Sequence, residues 1–263
     1  MPAPQPDLPP IVDVAQAERL LGAGAIVLDT RSMVRFLADG HLAQAARVSW
    51  RIGTSGALTD GALGDPTAAA SAFAALGVQS RLPVLVVGDW DAGWGEEGRV
   101  YWDLEYLGHT DVHVLRGGMQ AWTGDRTRSP LRTFSGTVSA ADFIAAPRSS
   151  ARVTTADLAA AVGSAGPPLL LDVRERAEFA GATPYGERRG GHIPGAVSVP
   201  WRELLTGGVP ATQGRAVVVT CTGGVRSGMA YLALRNANIV SIANYDAGMW
   251  GWTRSDNAVT NVP

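Results

Sequence analysis

Apolar residues along this chain recur in two kinds of run. Short β-branched stretches such as Val84-Leu-Val-Val87 and Val217-Val-Val-Thr220 have strand character, while Ala- and Leu-rich segments such as 157–162 and 229–237 carry apolar residues at helical spacing. The two kinds alternate, which predicts an α/β class: a mainly parallel sheet flanked by helices on both faces. In that class a chemically active loop belongs beyond the carboxyl end of a strand, where the next helix begins.

The pattern occurs twice. Val27-Leu-Asp-Thr-Arg31 is echoed by Leu170-Leu-Asp-Val-Arg174, each an apolar strand ending in Asp-x-Arg. Gly40-His-Leu-Ala-Gln-Ala-Ala-Arg-Val-Ser-Trp50 runs in register with Gly191-His-Ile-Pro-Gly-Ala-Val-Ser-Val-Pro-Trp201. Two further block pairs follow in the same order, opening at Gly98 and Gly228 and at Gly118 and Gly248. A duplication of this kind suits a chain of 263 residues, which is long enough for two ordinary cores. The expected boundaries are a first domain over 9–126, a linker over 127–150 rich in Ser, Thr and Pro, and a second domain over 151–256. Between its Asp-x-Arg and Gly-His blocks the second copy is longer than the first, through a turn-rich stretch, Gly181–Gly190, that reads as a surface loop and a candidate substrate loop. Its Arg188 and Arg189 are candidates for contacting an oxyanion.

Composition narrows the partners. The net charge of -2 is spread without a basic face, so nucleic acid and anionic lipid are not expected. No apolar run is long enough to span a bilayer, so no membrane insertion is expected either, and small molecules remain. The Pro-rich start, residues 1–10, lacks the basic and apolar parts of a signal peptide and reads as a stiff tail. That points to the cytoplasm, or to the periplasm had a signal already been removed.

A single cysteine, Cys221, can form no internal disulfide and cannot hold zinc alone, which leaves a buried apolar role or a reactive thiol. Its setting decides. Strand 217–220 runs into Cys221-Thr-Gly-Gly-Val-Arg226-Ser, with a helix starting near Ser227, the order that builds an anion cradle. Gly223 and Gly224 can take positive φ and turn backbone amides toward the sulfur. These amides, the helix amino end and Arg226 would each favour negative charge there. Cys221 and Arg226 are thus the catalytic candidates, with Thr222, Gly223, Gly224, Val225 and Ser227 lining the substrate. Arg226 either binds an anionic substrate group or braces its own loop. In the first copy the position matching Cys221 reads as Asp89, in a loop two residues longer, with the carboxylate at the focus of the amides. His41 and His192 occur in both copies, as do the Asp-x-Arg pairs, so they are assigned to the fold.

The Cys221 loop resembles the six-residue active-site loop of rhodaneses, and the Asp-x-Arg and Gly-His-Ile-Pro-Gly-Ala blocks resemble that family's other signatures across essentially the whole chain. The resemblance implies tandem rhodanese domains, the first inactive. A sulfane sulfur would pass from a small donor to Cys221 and on to a thiol or cyanide, with no metal or organic cofactor. The family's phosphatase branch has a Cys-x5-Arg loop, one residue longer than the Cys-x4-Arg found here; a non-catalytic binding module is opposed by the intact cysteine. Mercaptopyruvate enzymes of the family carry Arg where this chain has Glu178, a carboxylate expected to repel the ketoacid. The Arg-Ser in the loop is similar to that of bacterial thiosulfate enzymes. Thiosulfate is therefore the expected donor and 3-mercaptopyruvate the alternative.

Overall fold

The computed structural model describes residues 8–54, 56, 58, 60–127 and 142–261. Residues 1–7 of the Pro-rich start and 128–141 of the expected linker lie outside the described residues. The chain divides into two compact units.

In the first unit the strands are β1 (Ile11–Val12), β2 (Ile26–Asp29), β3 (Ala46–Arg47), β4 (Val84–Val87) and β5 (Val112–Leu115). They form one parallel sheet in the order β1-β5-β4-β2-β3. Helices α1 (Val14–Gly22), α2 (Met33–Ala38), α3 (Pro66–Ala75), α4 (Glu96–Tyr106) and α5 (Gly118–Ala121) complete it. The second unit repeats the plan with α6 (Thr155–Val162), β6 (Leu169–Asp172), α7 (Arg176–Phe179), β7 (Val197–Ser198), α8 (Trp201–Leu205), β8 (Val217–Thr220), α9 (Val225–Asn236), β9 (Ile242–Tyr245) and α10 (Gly248–Arg254). Its parallel sheet runs β7-β6-β8-β9, and a single bridge from Arg152 to Asn244 replaces the first unit's β1.

Both central strands, β4 and β8, are buried along their whole length, as β-branched runs covered by helices on two faces should be. Val12, Leu20, Phe36, Leu85 and Met119 cluster in the first core and Leu158, Leu170, Val218, Tyr245 and Trp252 in the second. Each such side chain contributes roughly 1.5–3 kcal/mol through burial. The Asp-x-Arg pairs are internal clamps: Arg31 forks onto Asp29 and reaches the Gly40 carbonyl, and Arg174 forks onto Asp172 and reaches the Gly191 carbonyl at 2.8 Å. Each ties a strand end to the Gly-His block. His41 stacks on Phe36 and His192 on Phe179, with centroids 3.8 and 3.6 Å apart.

One segment of the first half of the sequence groups with the second unit. Thr54–Gly64 falls inside the span 9–126 but packs with the residues from Arg148 onward. Asp246 accepts the Leu63 amide at 2.7 Å, and Arg152 bridges the Leu63 carbonyl and Asp246. Gly61 lies so close to the Gly223 carbonyl that a Cβ would sit 1.9 Å from its oxygen.

Candidate active site

Side-chain oxygens cap α1, α2, α3 and α6, those of Asp13, Ser32, Asp65 and Thr154. Helix α9 is different: its cap is Gly224, which offers no side chain, so the first-turn amides keep their donor capacity. Cys221 supplies an acceptor. It follows β8, is 1 % exposed, and its Sγ accepts the Gly224 N–H at 3.2 Å and faces the Ser227 hydroxyl at 3.4 Å. The helix begins at Val225, ahead of the expected start near Ser227. Of the two glycines only Gly224 has positive φ, +84°. Gly223 is required for a different reason: a Cβ there would meet the Trp250 ring at 2.2 Å. The loop is stitched to the head of α10, where the Met249 and Trp250 amides donate to the Cys221 and Thr222 carbonyls.

The Arg226 guanidinium is engaged by side chains around the loop. It forks onto Glu178, Nη1 to Oε2 at 2.6 Å and Nη2 to Oε1 at 2.8 Å, and Nη2 also donates to the Thr222 hydroxyl at 2.8 Å. Both partners are buried. Burial alone would lower the Arg226 pKa, but the Glu178 hydrogen bonds, the Cys221 charge and the Glu178 charge outweigh it and raise it. Burial likewise opposes ionisation of Glu178, and the Arg226 bonds and charge, with Thr222 and Arg174, hold it below the usual carboxylate range. The carboxylate at 178 is therefore half of an ion pair, which corrects the expectation of a bare repelling charge.

The insertion does meet the cysteine loop, through residues the sequence did not single out. Glu187 is buried; its Oε1 lies 3.2 Å from the Thr222 hydroxyl and its Oε2 accepts the Tyr185 amide at 3.1 Å. The Tyr185 ring lies 5.4 Å from the Arg226 guanidinium carbon, and the Trp250 indole N–H donates to the Tyr185 carbonyl. Of the two arginines expected to face substrate, Arg189 donates to the Ser255 carbonyl at 2.6 Å and Arg188 is exposed, its amide bonded to Thr253.

The first unit's counterpart of this loop corrects the alignment. Strand register sets Val87 beside Asp29 and Thr220 beside Asp172, so Gly88, not Asp89, stands where Cys221 does. The Met119 amide donates to the Gly88 carbonyl as Met249 does to Cys221. Gly88 and Gly98 are ten residues apart, against seven for Cys221 and Gly228, so the loop is three residues longer, not two. Asp89 pairs with Arg35 at 2.8 Å. Glu97 accepts the Trp90 amide at 2.7 Å, Glu96 accepts the Trp94 amide at 2.9 Å, and the Glu97 Oε2 would lie 2.5 Å from a Cβ at Gly88. Burial first, then Glu96 and Asp89, push the Glu97 carboxyl up to about 8 against its backbone hydrogen bonds. Its folded pKa exceeds the unfolded value, so this contribution to stability is intact below pH 4.5 and is lost as pH rises toward 8. Glu97→Gln is expected to remove that slope and to stabilise the protein by about 3 kcal/mol at pH 7. Urea denaturation at pH 5 and pH 8 checks it; equal pH slopes in the two proteins would refute the assignment.

A duplicated parallel α/β unit with one thiol at the uncapped head of a helix defines a protein of rhodanese type. The Rhodanese-like domain matches residues 13–125 and 154–255, and the chain belongs to that family. A thiosulfate sulfurtransferase from Corynebacterium glutamicum is 25 % identical, over 96 % of this chain and 93 % of the relative. A thiosulfate sulfurtransferase from Pseudomonas aeruginosa is 28 % identical, over 93 % of each. The 3-mercaptopyruvate sulfurtransferase of Escherichia coli K12 is 31 % identical over 62 % of this chain and 63 % of its own. Among solved structures, SseA from Escherichia coli superposes with a TM-score of 0.72 at 22 % identity, covering 92 % of this chain and 99 % of SseA. Wild-type EanB gives 0.81 at 19 % identity, covering 97 % of this chain and 70 % of EanB. Both likenesses are of fold. Among the described residues no group of His, Cys, Asp and Glu is arranged to hold a metal ion, and no helix is long and apolar enough to cross a membrane.

Proposed function

We propose that this sulfurtransferase takes its sulfur from thiosulfate and carries it as a persulfide on Cys221. The observation that carries this reading is the placement of Sγ against the Gly224 amide and the Ser227 hydroxyl at the head of α9. Donors fixed in that way stabilise an anionic sulfur without reorganising. The Cys221 thiolate attacks the outer sulfur of thiosulfate, the bond between its two sulfurs breaks, sulfite leaves, and Cys221 holds a persulfide anion at the same amide and hydroxyl. A thiol or cyanide then removes the outer sulfur and restores the thiolate. Arg226 and Glu178 keep Thr222, and with it the loop, in place.

The preference for thiosulfate draws on the relatives of that name, which match along nearly the whole chain. It also draws on Glu178, which sets a carboxylate, paired with Arg226, where an arginine would hold a ketoacid carboxylate. Glu178→Arg would set two guanidiniums together in a buried site, so it is a test of folding and not of donor choice. The expected result is a higher kcat/KM for thiosulfate than for 3-mercaptopyruvate with one acceptor at one pH and salt. A wild-type preference for mercaptopyruvate would overturn the donor and leave the persulfide chemistry standing.

A further inference from the structure

Two buried carboxylates, Glu178 and Glu187, stand at the cysteine loop. Arg226 and Glu178 offset one another through two short hydrogen bonds. Glu187 is buried beside them, and the groups that bond it, the Thr222 hydroxyl and the Tyr185 amide, are neutral. Thr222 has one hydroxyl hydrogen, shared between Glu178 at 3.0 Å and Glu187 at 3.2 Å, so it can satisfy one carboxylate at a time. Of the neighbouring cations, Arg189 turns to the Ser255 carbonyl, Arg174 to Asp172, and Arg188 is exposed to solvent, where its charge is screened. The Tyr185 phenol, in the same insertion, is pushed up first by burial, with Arg226 the largest charge acting on it and opposing, and Glu178, Glu175 and Glu187 adding. Tyr185 and Trp250, joined by a hydrogen bond, also present aromatic surface beside these carboxylates.

We propose that Glu187 sets the charge of the acceptor, so that the thiol unloading Cys221 is neutral or cationic, of the aminothiol class, and not one bearing a carboxylate. This rests on the persulfide reading above. In the step itself the acceptor thiol gives its proton to solvent and its thiolate attacks the outer sulfur of the Cys221 persulfide. A new sulfur–sulfur bond forms on the acceptor, the bond to Sγ breaks, and the Cys221 thiolate returns. An ammonium group a short chain away from the attacking sulfur is attracted by Glu187 and can lie on an aromatic face. A carboxylate in the same place is repelled. The donor is governed differently, since its compact charge meets the amides of α9.

The test loads the full-length protein with thiosulfate, removes excess donor, and follows discharge of the added sulfur by mass spectrometry. Cysteamine and mercaptoacetate are compared at equal thiolate concentration and low salt. Wild type is expected to favour cysteamine, and Glu187→Gln to lower the cysteamine-to-mercaptoacetate ratio by about tenfold, the scale of removing one charge near a partly shielded site. Comparing ratios cancels each thiol's intrinsic reactivity and any general loss of rate. Glu187→Asp should keep the ratio, and added salt should narrow it in wild type. A ratio unchanged in Glu187→Gln, or a wild-type preference for mercaptoacetate, overturns the proposal. Should Glu187→Gln fail to fold, a wild-type ratio insensitive to salt overturns it equally. Failure of wild type to gain sulfur from thiosulfate would instead overturn the persulfide reading itself.

Discussion

Cys221→Ser is expected to lose sulfur transfer by about a thousandfold or more, the scale on which removing a covalent nucleophile acts. The fold should survive, because the hydroxyl is close to isosteric with the thiol and meets the same Gly224 amide and Ser227 hydroxyl that now face Sγ. What fails is the intermediate: an oxygen at this position cannot accept and release a sulfane sulfur. The measurement pairs steady-state rates with intact mass after thiosulfate treatment, where wild type should gain one sulfur and the variant none. Since Cys221 is the only cysteine in the chain, no second thiol confuses the mass. Turnover by the serine variant within tenfold of wild type would remove Cys221 from the chemistry.

Much of this site was legible because its parts are close in sequence. Strand, cysteine, glycine pair and helix follow one another between Val217 and Asn236, and local propensity together with the missing side-chain cap explains why the Gly224 amide and the Ser227 hydroxyl meet the sulfur. The duplication made the Asp-x-Arg clamps legible too, since Arg31 and Arg174 each pair with the aspartate two residues earlier. The Glu178–Arg226 pair and the Glu187–Thr222 contact were not legible. They join residues 48 and 35 positions apart, and only the packing of α7 and the insertion against the loop brings them together. The sequence marks Arg226 as a cation of the loop but gives no sign of Glu178 as its partner. In the sequence Asp89 aligns with Cys221 because the loops differ in length, and only strand register shows where the extra residues fall. The placement of Thr54–Gly64 in the second unit likewise depends on Asp246 and Arg152, far away in sequence.

Arg226→Ala is expected to cost about 3–5 kcal/mol of stability, the range for stripping one partner from a buried ion pair. Arg226 is 3 % exposed and Glu178 2 %, so the orphaned carboxylate has no water to turn to. Arg226→Lys should recover part of the loss, since an ammonium supplies the charge but not the fork that engages both Glu178 oxygens. The pH dependence carries a sign. The folded pKa of Glu178 is depressed, so its contribution is present above its unfolded value and is lost as pH falls through the folded one. Wild type should therefore lose stability on acidification through the ordinary carboxylate range and below it, a slope that Arg226→Ala should lack. The double variant Glu178→Leu with Arg226→Met separates packing from function. Apolar replacement of both partners leaves no buried charge behind, so it should restore most of the stability. It should not restore thiosulfate turnover, because Thr222 then loses the guanidinium and carboxylate that hold it beside Cys221. Full activity in that stable double variant would show that the pair serves folding alone, and unchanged stability in Arg226→Ala would remove the ion pair from both accounts.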